Sequence, residues 1–156
     1  MSARTALPLL TIWEDIRQQR SYRALFEALG ISCVTKTLPE ADLTTELLWK
    51  TGAIEIKRDD FGPAVGGDRP RVDRMIERLQ SYRFKCIIVA DDLTSVYRKT
   101  QVHVHAILGT VASWYARRDC PVLFAGNDAG AARLAAGILR RWEERLLAER
   151  NGGRAA

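Results

Sequence analysis

Hydrophobic positions along the chain fall into short runs that alternate between strand-like and helix-like spacing. Leu9-Leu10-Thr11-Ile12-Trp13 is rich in β-formers and predicts a first strand. Tyr22, Leu25, Phe26 and Leu29 recur at helical spacing, which predicts a helix over 20–29 closed by Gly30 as a C-terminal cap. Ile31 to Leu38 reads as a second strand and Ala53-Ile54-Glu55-Ile56-Lys57 as another, with Leu47-Leu48-Trp49 beginning one more between them. Three glycines and two prolines mark 58–70 as a mobile surface loop. A helix follows over 71–82, with Val72, Met75, Ile76 and Leu79 on one face. Phe84 to Ala90 is an apolar run interrupted only by Lys85, the pattern of a strand buried on both sides. Ile107 to Arg117 reads as a helix, Pro121 to Ala125 as a strand and Asp128 to Ala148 as a long amphipathic helix.

This alternation predicts one α/β domain over 9–148, with a mostly parallel central sheet flanked by helices and a frayed tail at 149–156. The chain has 156 residues, enough for one real core. No apolar run approaches the roughly 20 residues that span a bilayer. Met1 to Pro8 is too short and too weakly apolar for a signal peptide, so a cytoplasmic protein without membrane contact is expected. Cys33, Cys86 and Cys120 form no CxxC pair and suit small core positions in a reducing compartment. The net charge of +5, from 24 basic and 19 acidic residues, favours a polyanionic partner without identifying one. No glycine-rich phosphate loop follows any predicted strand, which disfavours a nucleotide-type small-molecule enzyme and a small-molecule cofactor.

The informative feature is where the acids fall. Asp15 follows the first strand, Asp42 the second, and Glu55 shares a strand with Lys57. Alternate side chains of a strand point the same way, so Glu55 and Lys57 share a face while Ile54 and Ile56 enter the core. Carboxylates can hold a hard divalent ion such as magnesium, with manganese as a substitute. Such an ion polarises a phosphate and acidifies a bound water, and a lysine can orient that water or meet developing charge. The plainer reading of Glu55 and Lys57 is a surface ion pair worth about 0–1 kcal/mol.

Asp15-Ile16-Arg17-Gln18, Leu38-Pro39-Glu40-Ala41-Asp42-Leu43 and Glu55-Ile56-Lys57, taken in order, resemble motifs of the nuclease domain of the XPF/Mus-type family in its compact stand-alone form. Asp15-Ile16-Arg17-Gln18 is similar to the family's aspartate-x-arginine-glutamate. Leu38-Pro39-Glu40-Ala41-Asp42-Leu43 is similar to its leucine-proline-x-glycine-aspartate-tyrosine, and Glu55-Ile56-Lys57 to its glutamate-arginine-lysine. Tyr97 to His103 resembles its basic loop, Val111 to Trp114 the helix after it, and Pro121 to Phe124 its last strand. The similarity extends from about Leu9 to Trp142. Departures are Gln18 for glutamate, Ala41 for glycine and Ile56 for arginine, and Asp59 and Asp60 stand out of register with the family's following aspartate.

The resemblance implies a restriction-endonuclease-like fold and a magnesium-dependent DNA endonuclease that cuts phosphodiester bonds, with branched or flapped DNA as substrate. Asp42, Glu55 and Lys57 are then the catalytic set, and Asp15, Asp42 and Glu55 the metal ligands. Arg17 and Arg58 flank that site and suit phosphate, as do Arg74, Arg98, Lys99 and His103, each of which could equally be ordinary surface charge. Trp13, Trp49, Trp114 and Trp142 sit in apolar patterns that predict packing. The stripe Leu134, Ile138, Leu139, Trp142 and Leu146 could pair with a second copy or simply pack on the sheet, and relatives of this type dimerise. A catalytically inactive DNA-binding or dimerisation subunit is the alternative function.

Overall fold

The computed structural model describes residues 9–67 and 69–152. Its elements run β1 (Thr11–Asp15), α1 (Arg23–Ala28), β2 (Ser32–Lys36), β3 (Leu43–Thr45), β4 (Gly52–Lys57), α2 (Phe61–Gly66), α3 (Arg69–Leu79), β5 (Phe84–Val89), α4 (Leu93–Lys99), α5 (Val104–Arg118), β6 (Val122–Phe124) and α6 (Asp128–Gly152). The strands form one sheet in the order β2-β1-β3-β4-β5-β6. β1 runs parallel to β2, and β4, β5 and β6 are parallel to one another. β3 is antiparallel to both its neighbours, so the mostly parallel sheet is a mixed one with a single reversed strand.

Side-chain alternation sorts the core into two layers. Ile12, Cys33, Leu43, Ile54, Ile56 and Ile88 pack on one face against Phe26 of α1 and the alanine-rich side of α6. Ala53, Ile87 and Val89 pack on the other face against α2, α3 and α5. Every residue of β5 is buried, as its apolar run requires for a strand covered on both sides, and the one charged member, Lys85, donates to Tyr82 O at 3.1 Å. Two buried acids on the α1 and α6 side fasten those elements to the sheet: Glu14 accepts the Tyr22 N–H at 2.5 Å and the Ser21 hydroxyl at 2.6 Å. Glu143 of α6 accepts the Thr45 hydroxyl at 2.7 Å.

Four expectations are corrected. The segment 58–70 is not a mobile loop: it contains α2 and the first turn of α3, with Phe61 and Val65 buried. Its glycines serve close approach, since a Cβ on Gly62 would lie 2.7 Å from Thr100 Cβ, and one on Gly66 would collide with Val102. Leu47 to Trp49 is not a strand but the turn between β3 and β4, where Leu48 anchors in the core and donates no strand pairing. Tyr97 to Lys99 ends a helix rather than a loop. The tail expected from 149 onward is helical to Gly152, and residues 153–156, like 1–8, lie outside the described residues. Among the described residues no helix is long and apolar enough to cross a membrane.

Candidate active site

Strand directions bring three acids together. β1 ends at Asp15, and its antiparallel neighbour β3 therefore begins beside that end, immediately after Asp42. β4 is antiparallel to β3 in turn, which brings its C-terminal end to the same place. Backbone bonds lock the junction: the Asp15 N–H donates to Asp42 O at 2.8 Å and the Asp42 N–H to Ile54 O at 3.0 Å. The Ile56 N–H donates to Asp42 Oδ2 at 2.7 Å. Ala41 enters this junction at φ +64°, a conformation that glycine takes freely and alanine does not.

Glu55 and Lys57 share the face opposite the Ile54 and Ile56 core layer. Lys57 Nζ stands 3.0 Å from Glu55 Oε1, and each side chain is only 14 % exposed, so this is not a surface ion pair. Burial disfavours the Lys57 charge, yet Glu55, with Asp60 and Asp42, outweighs it and holds the lysine above its ordinary pKa. Burial pushes Asp42 up to about 7, and the charges of Glu55 and Asp15 add to that rise. The Ile56 N–H and Lys57 pull the other way without winning. Two carboxylates are thus crowded around one lysine in a half-buried place.

A cleft of about 410 Å³ opens beside this pair. Glu55, Lys57 and Asp60 line its polar side, Pro63, Ala64, Val72 and Met75 its apolar floor, and Arg71 and Arg78 complete the wall. Arg78 also pairs with Glu40 at 2.6 Å. Arg71 and Arg78 reach this cleft from α3, a placement that no motif in the sequence announces.

The remaining candidates are placed as follows. Asp15 is 5 % exposed, and its carboxylate accepts the Leu38 N–H at 3.1 Å and Arg17 Nε at 2.8 Å. Arg17 also donates to Leu38 O, so it clamps β1 to the chain entering β3. Arg58 reaches away from the cleft: it bonds Asp128 at 3.0 Å and Arg20 O at 2.9 Å, and lies over the Tyr22 ring. Lys99 bridges Asp59 and the buried Asp91, both at 2.8 Å. Arg74 and Arg98 are exposed, and His103 caps α5, its Nδ1 accepting the His105 N–H at 3.2 Å.

The donor set fits a hard divalent cation. Asp42 and Glu55 offer oxygen ligands, and their mutual repulsion in a buried setting is relieved by a cation. Among the described residues no three His, Cys, Asp or Glu side chains gather closely enough to hold a metal between them. Asp15, the third expected ligand, has its carboxylate engaged by Leu38 and Arg17.

A mixed six-stranded sheet with helices on both faces and acids converging at adjacent strand ends defines a restriction-endonuclease-like fold. Among solved structures, the chain is similar to XPF from Aeropyrum pernix, with a TM-score of 0.73 and 22 % identity over 90 % of this chain and 69 % of that one. It is similar also to XPF from Aeropyrum pernix in complex with DNA, with a TM-score of 0.73 and 21 % identity over 87 % of this chain and 66 % of that one. The chain therefore spans about two thirds of the length of these structures and shares their fold over that part. No protein-family model and no curated protein matches the sequence.

Proposed function

We propose that this protein is a divalent-metal-dependent endonuclease that hydrolyses DNA phosphodiester bonds, with branched or flapped DNA as its substrate. The observation that carries the reading is the half-buried Asp42, Glu55 and Lys57 group: the Ile56 N–H holds Asp42, and Glu55 and Lys57 pair at 3.0 Å on the wall of a cleft. The DNA-bound state of a protein with the same fold supports DNA as the ligand.

Asp42 and Glu55 would hold magnesium or manganese, and the bound ion would acidify a water and polarise the phosphate. Lys57 sits where it can orient the attacking water or meet charge that develops on the phosphate oxygens. Asp15 acts through position: by holding Leu38 and Arg17 it fixes the segment that delivers Asp42. Arg74, Arg98, Lys99, His103 and the exposed part of Arg17 supply phosphate contacts around the centre, whereas Arg58 serves the α1–α6 junction. A second copy of the chain completes the assembly. The domain takes in 9–148 with the last turn of α6 beyond it, and the compartment is the cytoplasm, in keeping with three buried free thiols.

One observation favours the inactive subunit as a second reading: the Asp15 carboxylate is already satisfied, which leaves two acids for a metal. Supercoiled plasmid incubated with magnesium separates the two. Nicking by the parent chain that disappears in Glu55→Gln supports the enzyme. Equal nicking by both, or none by either over a range of branched substrates, rejects it.

A further inference from the structure

The sheet face that carries Glu55 and Lys57 is only half covered. α2, α3 and α5 pack over β4 and β5, but no apolar residue of β1, β2 or β3 joins that layer. On these three strands the face holds Val34 and Lys36 of β2, Trp13 of β1, the small buried Thr44 of β3 beside it, and Trp49 from the β3–β4 turn. Val34 is 39 % and Trp49 36 % exposed, and Trp13 is half-buried. The tryptophans meet edge to face with ring centroids 5.6 Å apart, and Lys36 Nζ stands 5.0 Å over the Trp13 ring.

This is not loose surface. Leu48 is fully buried, and the N–H groups of Thr51 and Gly52 both donate to its carbonyl at 2.8 Å. That tight turn points Trp49 outward and puts Lys50, exposed at φ +62°, directly after it. A core residue turned out on a well-anchored turn, beside a second tryptophan and two lysines, matches what an unpaired nucleic-acid strand needs. Every base has an aromatic face to stack, and the phosphates between bases need cations. The patch also continues into the candidate centre, because Trp13 and Asp15 lie two residues apart on one face of β1, about 7 Å at the rise of a strand.

We propose that this open face is a docking track for an unpaired DNA strand, with Trp49 and Trp13 stacking bases and Lys36 and Lys50 meeting phosphates. It rests on the reading above only in taking DNA as the ligand at the end of the track.

The chain reports on itself, since Trp114 is 4 % exposed and Trp142 is stacked on Phe84, leaving Trp13 and Trp49 to respond to a ligand. Tryptophan emission is followed while oligothymidylate is titrated into the metal-free protein. The track requires clear quenching, and Trp49→Ala should weaken oligothymidylate binding about tenfold or more while blunt-duplex affinity changes less than twofold. Lys36→Ala, which uncovers no core, should weaken the same binding severalfold and flatten its salt dependence. Absence of quenching, or parental oligothymidylate affinity in both variants, overturns the proposal. So does a dimer in sedimentation that Trp49→Ala converts to monomer with DNA affinity intact, because the face would then belong to a second copy. Magnesium-dependent nicking by the parent chain is scored separately, so loss of the track and loss of the nuclease reading are told apart.

Discussion

The Ile56 N–H donates to Asp42 Oδ2 at 2.7 Å, so the strand that carries Glu55 and Lys57 on one face fixes the second carboxylate through its own backbone. The site is therefore assembled by strand direction and register as much as by side-chain choice. Ile56 itself packs in the opposite core layer, which is why an apolar residue serves between the two charged ones.

That crowding has a measurable consequence. The folded protein raises Asp42 from its ordinary 3.8 to about 7, chiefly by burial and then by the charge of Glu55. A carboxyl that binds its proton more tightly when folded stabilises the fold fully below pH 3.8, and that contribution is lost as pH rises through 7. Metal-free protein should then be less stable at pH 8 than at pH 6. Asp42→Asn keeps an oxygen for the Ile56 N–H and removes the charge, so it should raise the melting temperature at pH 8. A gain of a few kcal/mol is the upper end, at about 1.4 kcal/mol per unit of pKa. The gain should shrink toward pH 4. Thermal melts in EDTA at the three pH values decide this, and an equal effect at all three would reject the account.

Ala41 stores strain at the same junction. At φ +64° its Cβ crowds the following carbonyl, a cost of roughly 1–2 kcal/mol that glycine does not bear. Ala41→Gly should stabilise the metal-free protein by about 1 kcal/mol in urea unfolding, a sign opposite to that expected for glycine in ordinary backbone. Destabilisation would show that the strain is relieved in solution.

The packing of α2 can be tested by contrast between two glycines. A Cβ on Gly66 would collide with Val102, whereas one on Gly137, within α6, meets nothing within 4 Å. Gly66→Ala should destabilise by about 1–3 kcal/mol through overpacking. Gly137→Ala should stabilise by up to about 1 kcal/mol through helix propensity. Equal effects in chemical denaturation would mean that α2 is not seated on the segment after α4.

Those glycines mark the boundary of what the sequence disclosed. The apolar run of β5, the Ile54–Glu55–Ile56–Lys57 alternation and the long helix α6 were legible because local periodicity reports directly on burial. The segment 58–70 was not, because a glycine in a turn and a glycine under Val102 look alike until the distant partner is known. β3 is three residues long and two of them are threonines, so it carried no apolar signal, while Leu47-Leu48-Trp49 carried one and forms a turn. The acids could be nominated from the chain, but the engagement of Asp15 by Leu38 and Arg17 required coordinates. Trp49 read as a packing residue and is exposed, since hydrophobicity alone does not say which face of a sheet is covered.

The proposed dimer moves to a different surface. Leu139 and Leu146 of the amphipathic stripe are buried in the chain's own core, and Leu134, Ile138 and Trp142 pack against it. An exposed stripe instead runs along α5, where Leu108 is 43 % and Tyr115 64 % exposed and Val104 and Val111 lie between solvent and core. It stands beside the open edge of the sheet at β6, and an unpaired edge invites pairing with another copy. Light scattering should give twice 17.5 kDa for the parent and a monomer for Leu108→Glu. A parent that stays at 17.5 kDa at high concentration removes the dimer.

Lys57 separates catalysis from mere binding. It is buried, paired with Glu55 at 3.0 Å, and faces the cleft, so its charge is spent in the site and not on tracking DNA. An interaction made only in the transition state changes the chemical rate and leaves ground-state binding nearly intact. Lys57→Ala should therefore lower single-turnover cleavage by two or more orders of magnitude while DNA affinity at fixed salt falls only slightly. The same substitution strands Glu55 beside Asp42, and breaking a buried pair costs about 3–5 kcal/mol, so the metal-free variant should also melt earlier. Lys57→Gln fills more of the space and keeps a donor for Glu55, and it distinguishes lost chemistry from lost folding. Arg74 is exposed on α3, and Arg74→Ala should behave in the opposite way, weakening binding and reducing the salt slope by about one while cleavage at saturating protein persists. If Lys57→Gln is as stable as the parent and cuts as fast, the chemistry lies elsewhere on the molecule.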